Sequence, residues 1–416
     1  MRPSPLAVYA AVTGLLEPLA PALLKRRAGQ GKEDPARLGE RLGRAGVARP
    51  DGALVWLHGV SVGEATSLLP LVAALRAERP DLTLLVTSGT TTAAEMLAKR
   101  LPRGTIHQYL PLDTPRAARR FLDHWRPSLA VFVESEIWPN LIQEAQSRGV
   151  KLALLSARMT EESARGWGRF PVAAHALFSA FDLVMSQDDA TDARVRRLGA
   201  VPAAKLNLKL AGDPLPADEA ELARLRAAVG ERKVVLAAST HPGEDEIVVE
   251  AFRAAAPDPA EAVLILAPRH PDRGADLAAR FQASRRAAGE APSGPIHVAD
   301  TLGELGLFFR LADVVVMAGA FLPGIGGHNP LEPARIGRPI VTGPHAFNAA
   351  EAYADLFAEA CAIEAADAGA LARHLRGLLD NPVIARRMGE AALDFANRQS
   401  AALDDALDRL HPLLPA

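Results

Sequence analysis

Two doubly wound α/β domains joined by a linker are the fold class that this sequence predicts, on three observations. Short β-branched and leucine-rich runs alternate with amphipathic stretches of ten or more residues, the grammar of a parallel sheet buried on both faces. The alternation stops near Gly212 in the Pro-, Asp- and Glu-rich run GDPLPADEAE and then restarts. The length, 416 residues, is about three times the commonest single-domain size, which favours two domains over one.

The elements follow in order. Pro5 to Leu24 is an apolar run about as long as a helix that spans a bilayer, but Glu17, Pro18 and Pro21 make it a poor span. Arg2 ahead of it and Lys25, Arg26 and Arg27 behind it suit an interfacial or weakly inserted membrane anchor, the alternative being a helix packed on the protein itself. A cleaved secretory signal is disfavoured, because a highly charged stretch follows and no small-residue cleavage site is seen. Residues 1–45 are therefore read as a membrane-associating helix and its junction, 46–212 as a Rossmann-like domain, 213–230 as a linker and 231–416 as a second Rossmann-like domain. Strands are expected at 53–58, 83–88, 129–134 and 151–156, then at 233–239, 262–268, 313–319 and 338–343. Ligands of such sheets bind outside the carboxyl ends of the strands, so the cleft between two of them is the expected site.

Charge and cysteine content narrow the function. Forty-seven Lys and Arg against 49 Asp and Glu leave a formal charge of -2, which gives no electrostatic reason for nucleic-acid binding. Cys361 is the single cysteine and no Cys/His cluster has zinc-site spacing, so neither a disulfide nor a structural metal is expected.

Chemistry-bearing residues repeatedly follow a strand. His58 is followed by the turn Gly59-Val60-Ser61-Val62-Gly63-Glu64, where a glycine-bearing turn opens a helix. Glu64 there is either a functional carboxylate or a first-turn acid complementing the helix dipole. Glu134 and Glu136 leave a hydrophobic strand beside Trp138-Pro139, costly for acids unless they meet a partner or ligand. Arg269, closing a strand, presents a guanidinium to a phosphate or carboxylate, or else forms a surface ion pair. Thr301 to Leu305 opens a helix, with an ordinary cap as the simpler reading. The segment Gly319–Glu332, GAFLPGIGGHNPLE, combines amides able to cradle a phosphate with a glutamate able to accept two ribose hydroxyls. A G-x-G-x-x-G fingerprint is absent.

Taken in order, HGVSVGE (58–64), HQYLPLD (107–113), ESEIWPN (134–140), SAR (156–158), STHPGE (239–244), APRHP (267–271), GGHNPLEP (326–333) and GPHAFN (343–348) resemble the 3-deoxy-D-manno-octulosonic acid (Kdo) transferases, bacterial lipid A glycosyltransferases of the GT-B type. The resemblance runs from about Gly31 to at least Asn348, and the N-terminal apolar segment is similar to that family's membrane anchor. It implies an inverting transfer of Kdo from CMP-Kdo to a lipid A precursor of the lipid IVA type, in lipopolysaccharide biosynthesis at the cytoplasmic face of the inner membrane. Glu64 stands at the family's general base, and Glu134 and Lys209 at groups that stabilise the transition state. The CMP positions correspond to Pro268 and Arg269, to Leu302, Gly303 and Glu304, and to Asn329, Pro330, Leu331 and Glu332. No cofactor, catalytic metal or protein partner is implied. The chain departs from the family at Leu206, where glycine is usual before the NLK of 207–209, at the additional Gly324, and at Ala320 and Val60. Two other readings compete: a GT-B transferase with another nucleotide-sugar donor, and an inactive membrane-associated binding protein of the same fold.

Overall fold

A computed structural model describes residues 4–212 and 214–415, which form two compact units. The first comprises residues 1–212 with 399–416, and the second 213–398. Each is built on a seven-stranded parallel sheet with helices as crossovers.

In the first unit the strands are β1 (Leu54–His58), β2 (Thr83–Ser88), β3 (Ile106–Tyr109), β4 (Leu129–Val133), β5 (Lys151–Ala157), β6 (Leu183–Ser186) and β7 (Pro202–Lys205), in the order β3-β2-β1-β4-β5-β6-β7. The order reverses between β1 and β4, the switch point at which adjacent crossovers part to opposite faces and leave a crevice. Strand β1 shows why the run reads as continuously apolar. Leu54 and Trp56 face one core with Phe121, Trp125 and Phe132, while Val55 and Leu57 face another with Leu68, Leu71 and Leu75. The second unit repeats the plan with β8 (Lys233–Thr240), β9 (Ala262–Pro268), β10 (Ser284–Arg285), β11 (Ile296–Val298), β12 (Val314–Met317), β13 (Ile340–Thr342) and β14 (Ala362–Glu364), ordered β10-β11-β9-β8-β12-β13-β14. Its switch point lies between β8 and β12.

Two domain boundaries differ from expectation. Residues 213–230 are not a bare linker: a helix over Glu219–Val229 buries Leu222, Leu225 and Val229 within the second unit, as their spacing by three and then four residues dictates. The chain also returns to the first unit at its end. The helix Pro382–Leu410 continues past Arg398, and Leu403, Ala406, Leu407 and Leu410 join the first unit's core.

The N-terminal segment is a helix over Ser4–Leu16, a 3-10 turn over Glu17–Leu19 and a helix over Ala20–Ala28, with Pro18 and Pro21 each in a first turn, where a missing N–H costs nothing. By length and composition Pro5–Ala28 is apolar enough to cross a membrane, at a mean hydropathy of 1.5. One stripe of it is fastened to the first unit. Leu6, Ala20 and Leu24 are buried. Tyr9 donates to Asp113 at 3.0 Å, and Asn140 donates to Thr13 at 3.1 Å. Glu17 accepts from the Arg116 amide at 3.3 Å and lies 3.9 Å from Arg120. The other stripe, Val8, Val12, Leu15, Leu16, Leu19 and Leu23, is exposed. Lys25 and Arg26 are exposed, Arg27 is paired with Glu33 at 2.9 Å, and Arg2 lies outside the described residues.

Candidate functional site

At the first switch point, Glu64 sits in the opening turn of the helix Val62–Glu78. Ser61 caps that helix, accepting from the Glu64 amide at 3.3 Å, while Glu64 reaches back to accept from the Val60 amide at 2.6 Å and the Ser61 hydroxyl at 3.0 Å. This variant of the capping box, closed on the amide of Val60 rather than of Ser61, makes Glu64 a structural acid, so the first-turn reading of the sequence is correct as far as it goes. Its carboxyl is nonetheless pushed above the usual range, by burial first and then by the charges of Glu136 and Glu134, against the opposing pull of the Val60 and Ser61 hydrogen bonds. A carboxylate whose proton affinity is raised is a stronger base near neutrality.

Glu134 leaves β4 with φ 57, a left-handed conformation unusual for a residue with a side chain. The next residues form the turn that precedes the helix Pro139–Ser147. That helix is capped by Asp113 of the HQYLPLD segment, which accepts from the Asn140 and Leu141 amides at 3.1 and 2.9 Å. Lys209 Nζ stands 2.6 Å from Glu134 Oε1, obliquely enough that the pair is a charge contact rather than an aligned hydrogen bond. Ser156, also left-handed at φ 52, holds the lysine's loop by accepting from the Leu208 amide at 3.2 Å. Leu206 is buried with a negative φ, so no glycine is needed in this loop. Two participants were noted in the sequence but given no role there. Glu136 accepts from Trp138 Nε1 at 2.7 Å, and the wholly buried His58 brings an otherwise unpartnered Nε2 to 3.6 Å from the same carboxylate. A histidine ending the first strand of HGVSVGE was the available signal.

In the second unit the predicted nucleotide positions follow β11, β9 and β12, three of four strands that are consecutive in the sheet. Pro268 ends β9, and the amide of Arg269 bonds Thr240 of β8 at 3.0 Å, leaving the guanidinium exposed. Leu302 is 81% exposed, an apolar face on offer to a base, and Gly303 beside it is left-handed at φ 84 with open space where a side chain would stand. Glu304 is already engaged. Its carboxylate takes Arg286 and the Thr301 hydroxyl, and the Arg286 bonds hold it below the usual range. The residue is thus better placed to offer its backbone than its side chain.

After β12 the glycine loop is folded tightly. Gly319 O accepts from Gly327 N at 2.7 Å, and Gly326 O from Asn348 N at 2.7 Å. A side chain at left-handed Gly326 would strike Asn348. A carboxylate that the sequence reading passed over organises this loop: buried Glu244 accepts from the amides of His241, Gly319 and Phe321 at 3.0, 2.8 and 2.9 Å. Ala320 is buried with a negative φ, and Gly324 stands in open space. Asn329 accepts from the Leu331 amide at 3.0 Å, Pro330 precedes the short helix Leu331–Ala334, and Glu332 lies in its first turn.

Both units therefore gather polar side chains at the carboxyl ends of their strands, at or near the point where strand order reverses. Residues 36–211 match the family described as 3-Deoxy-D-manno-octulosonic-acid transferase (kdotransferase). The 3-deoxy-D-manno-octulosonic acid transferase of Haemophilus influenzae is 34% identical over 392 residues, 91% of this chain and 91% of that protein. That of Bordetella pertussis is 36% identical over 397 residues, 90% of this chain and 91% of that one. Among solved structures, a glycosyltransferase from Rickettsia africae superimposes with a TM-score of 0.55 at 11% identity, covering 88% of this chain and 99% of that one, a likeness of fold alone. With a third of its residues shared along nearly the whole length of such relatives, the chain belongs to the 3-deoxy-D-manno-octulosonic acid transferase family and is a glycosyltransferase of GT-B fold.

Proposed function

We propose that this enzyme transfers Kdo from CMP-Kdo, with inversion, to a hydroxyl of a lipid A precursor of the lipid IVA type. The observation that carries the reading is the meeting of Glu64, Glu134 and Lys209 around one sheet's switch point, from segments up to 145 residues apart in the chain. Displacement at an anomeric carbon needs a base for the entering hydroxyl, charge balance for an oxocarbenium-like transition state, and neutralisation of the departing phosphate. Glu64, with its raised proton affinity, takes the hydroxyl proton. Glu134 faces the developing positive charge, and Lys209 holds Glu134 ionised and in place while offering its own charge to an anionic group of the substrate. CMP is held in the second unit by Arg269, the amides of the glycine loop, Leu302 to Glu304, and Asn329 to Glu332.

Residues 5–28 lie on the membrane surface rather than crossing it. The apolar stripe from Val8 to Leu23 faces outward with Lys25 and Arg26 beside it, and the opposite stripe is committed to the protein through Leu6, Glu17 and Leu24. A spanning helix would have to strip Glu17 of its Arg116 and Arg120 contacts and carry it into hydrocarbon. The acceptor is amphiphilic, so an enzyme resting on the bilayer, at its cytoplasmic face, meets the headgroup where it lies.

The test is mass spectrometry of a tetraacylated lipid A precursor incubated with the full chain and freshly generated CMP-Kdo. The acceptor mass should rise by one or more Kdo residues, and CMP, not UDP, should protect the protein thermally. Protection by UDP alone would favour another donor.

A further inference from the structure

Three histidines of the second unit belong to the motifs yet have no part in the site described so far. His241 follows β8, His270 follows β9, and His328 ends the glycine loop after β12. The rings of His241 and His328 stack at 5.2 Å and 10°, with their Nε2 atoms 3.0 Å apart, and His270 meets His241 edge-on at 6.0 Å. Two nitrogens at that distance hold one proton between them, since two N–H groups would repel and two lone pairs would not attract. The backbone of Ser239 favours a proton on the His328 ring. With Nε2 turned to His241, that proton falls to Nδ1 and leaves Nε2 as the acceptor. Ser239 is left-handed at φ 61, at the bulge where β8 slips its register against β9. His241 is thereby the Nε2–H donor, and its Nδ1 carries the free lone pair.

The surroundings are those of an anion site. Arg269 and Arg273 bear on His241 from the end of β9, and His270 adds to them. The acids nearby are committed: Glu244 to three backbone amides, and Asp245 to Thr240 and Arg273. Burial first, and then the neighbouring positive groups, push His328 down to about 4 and lower His241, while Glu244 works in the other direction on His241. Sharing one proton between their Nε2 atoms, His241 and His328 have room for a second at His241 Nδ1, which an arriving phosphate would attract.

We propose that His241, held in one tautomer by His328, gains a proton at Nδ1 when the donor's phosphate binds, and that this imidazolium carries the negative charge left on the phosphate. The inference rests on the donor reading above. In the transfer, the acceptor oxygen bonds the anomeric carbon as the bond from that carbon to the phosphate oxygen breaks. The bonding pair leaves on the phosphate, whose charge grows from one to two, and the hydroxyl proton goes to the base. His241 contributes a charge-assisted hydrogen bond to the growing charge, and no oxidant or further reactant is needed. His328 is a positioning residue.

The experiment is calorimetric titration of the full-length protein with CMP at pH 7, in two buffers of different ionisation heat, so that the difference reports protons taken up. Comparing variants cancels the ionisation of CMP itself. Wild type should take up at least about a third of a proton more than His241→Gln, and that variant should bind CMP about tenfold more weakly while binding cytidine, which lacks the phosphate, unchanged. His328→Gln, which keeps an acceptor for His241, should retain the uptake, and His328→Leu should lose it. Equal uptake in wild type and His241→Gln, or equal weakening of CMP and cytidine, would overturn the proposal. If wild type takes up no CMP at all, the donor reading fails instead.

Discussion

Glu64 has two jobs that can be pulled apart. As the fourth residue of the capping box Ser61-Val62-Gly63-Glu64 it ties the helix start, and as the proposed base it must accept a proton. Glutamine fits the first job, because its carbonyl oxygen can still accept from the Val60 amide, so Glu64→Gln should cost only about 0.5–1.5 kcal/mol of stability. It abolishes the second, and turnover should fall by about two to four orders of magnitude, or roughly 2.7–5.5 kcal/mol of barrier. Ser61→Ala reverses the pattern: loss of the cap costs about 0.5–2 kcal/mol of stability, and the carboxylate remains. The pH profile gives an independent check. The base works when deprotonated, so its raised proton affinity sets the acidic limb above the ordinary carboxylate range. Glu136→Gln removes a like charge and should move that limb to lower pH, while Ser61→Ala removes a stabilising hydrogen bond and should move it higher. Initial rates of CMP release with detergent-dispersed acceptor, and urea denaturation for stability, measure both. Turnover within tenfold of wild type for Glu64→Gln, with Ser61→Ala the more damaging change, would refute the assignment.

Three further outcomes are expected. Glu332→Ala should weaken CMP by about 1.5–3 kcal/mol if its carboxylate accepts both ribose hydroxyls, seen by calorimetry as a loss that 2′,3′-dideoxy-CMP does not share. Leu15→Asp combined with Leu19→Asp, on the outward stripe at 80% and 63% exposure, should abolish flotation with anionic liposomes while leaving the unfolding midpoint unchanged; undiminished flotation would put the membrane contact elsewhere. Burial holds His297 at about 4, so the unfolded chain binds the extra proton between that value and 6.5, and stability should fall with falling pH across this window, by about 1.4 kcal/mol per unit for this group. His297→Gln should flatten that slope in denaturation curves taken at pH 6 and pH 5.

The inner strands were legible because both their faces are buried. Apart from the terminal His58, LVWLH and VVVM contain nothing that a solvent-facing strand would carry. The outer strands were not marked: β3 is IHQY, β7 is PAAK, and β10 is two residues long, so their pairing comes from the neighbouring strand rather than from an apolar run. The helix Pro382–Leu410 has no break at Arg398, so nothing local announces that its last turns belong to the other unit. The capping box could be read from spacing alone. The contact of Glu134 with Lys209, 75 residues on, could not, and reached the sequence reading only through family resemblance.

The least legible features are three left-handed residues at strand ends, where the fold accepts strain for chemistry. Glu134, Ser156 and Ser239 all have φ between 52 and 61, and each stands at or near the carboxyl end of a central strand. A non-glycine residue held there costs on the order of 1–3 kcal/mol, and glycine would remove the cost. Glycine would also remove the Glu134 carboxylate that meets Lys209, and the Ser156 hydroxyl that holds the lysine's loop. At Ser239 it is the backbone, not the side chain, that acts on His328, favouring a proton on its ring. In each case the strained residue directs a polar group to another segment of the same unit. Local propensity argues against all three conformations, so the contacts made by neighbouring strands must hold them, and a sequence read window by window gives no sign of it.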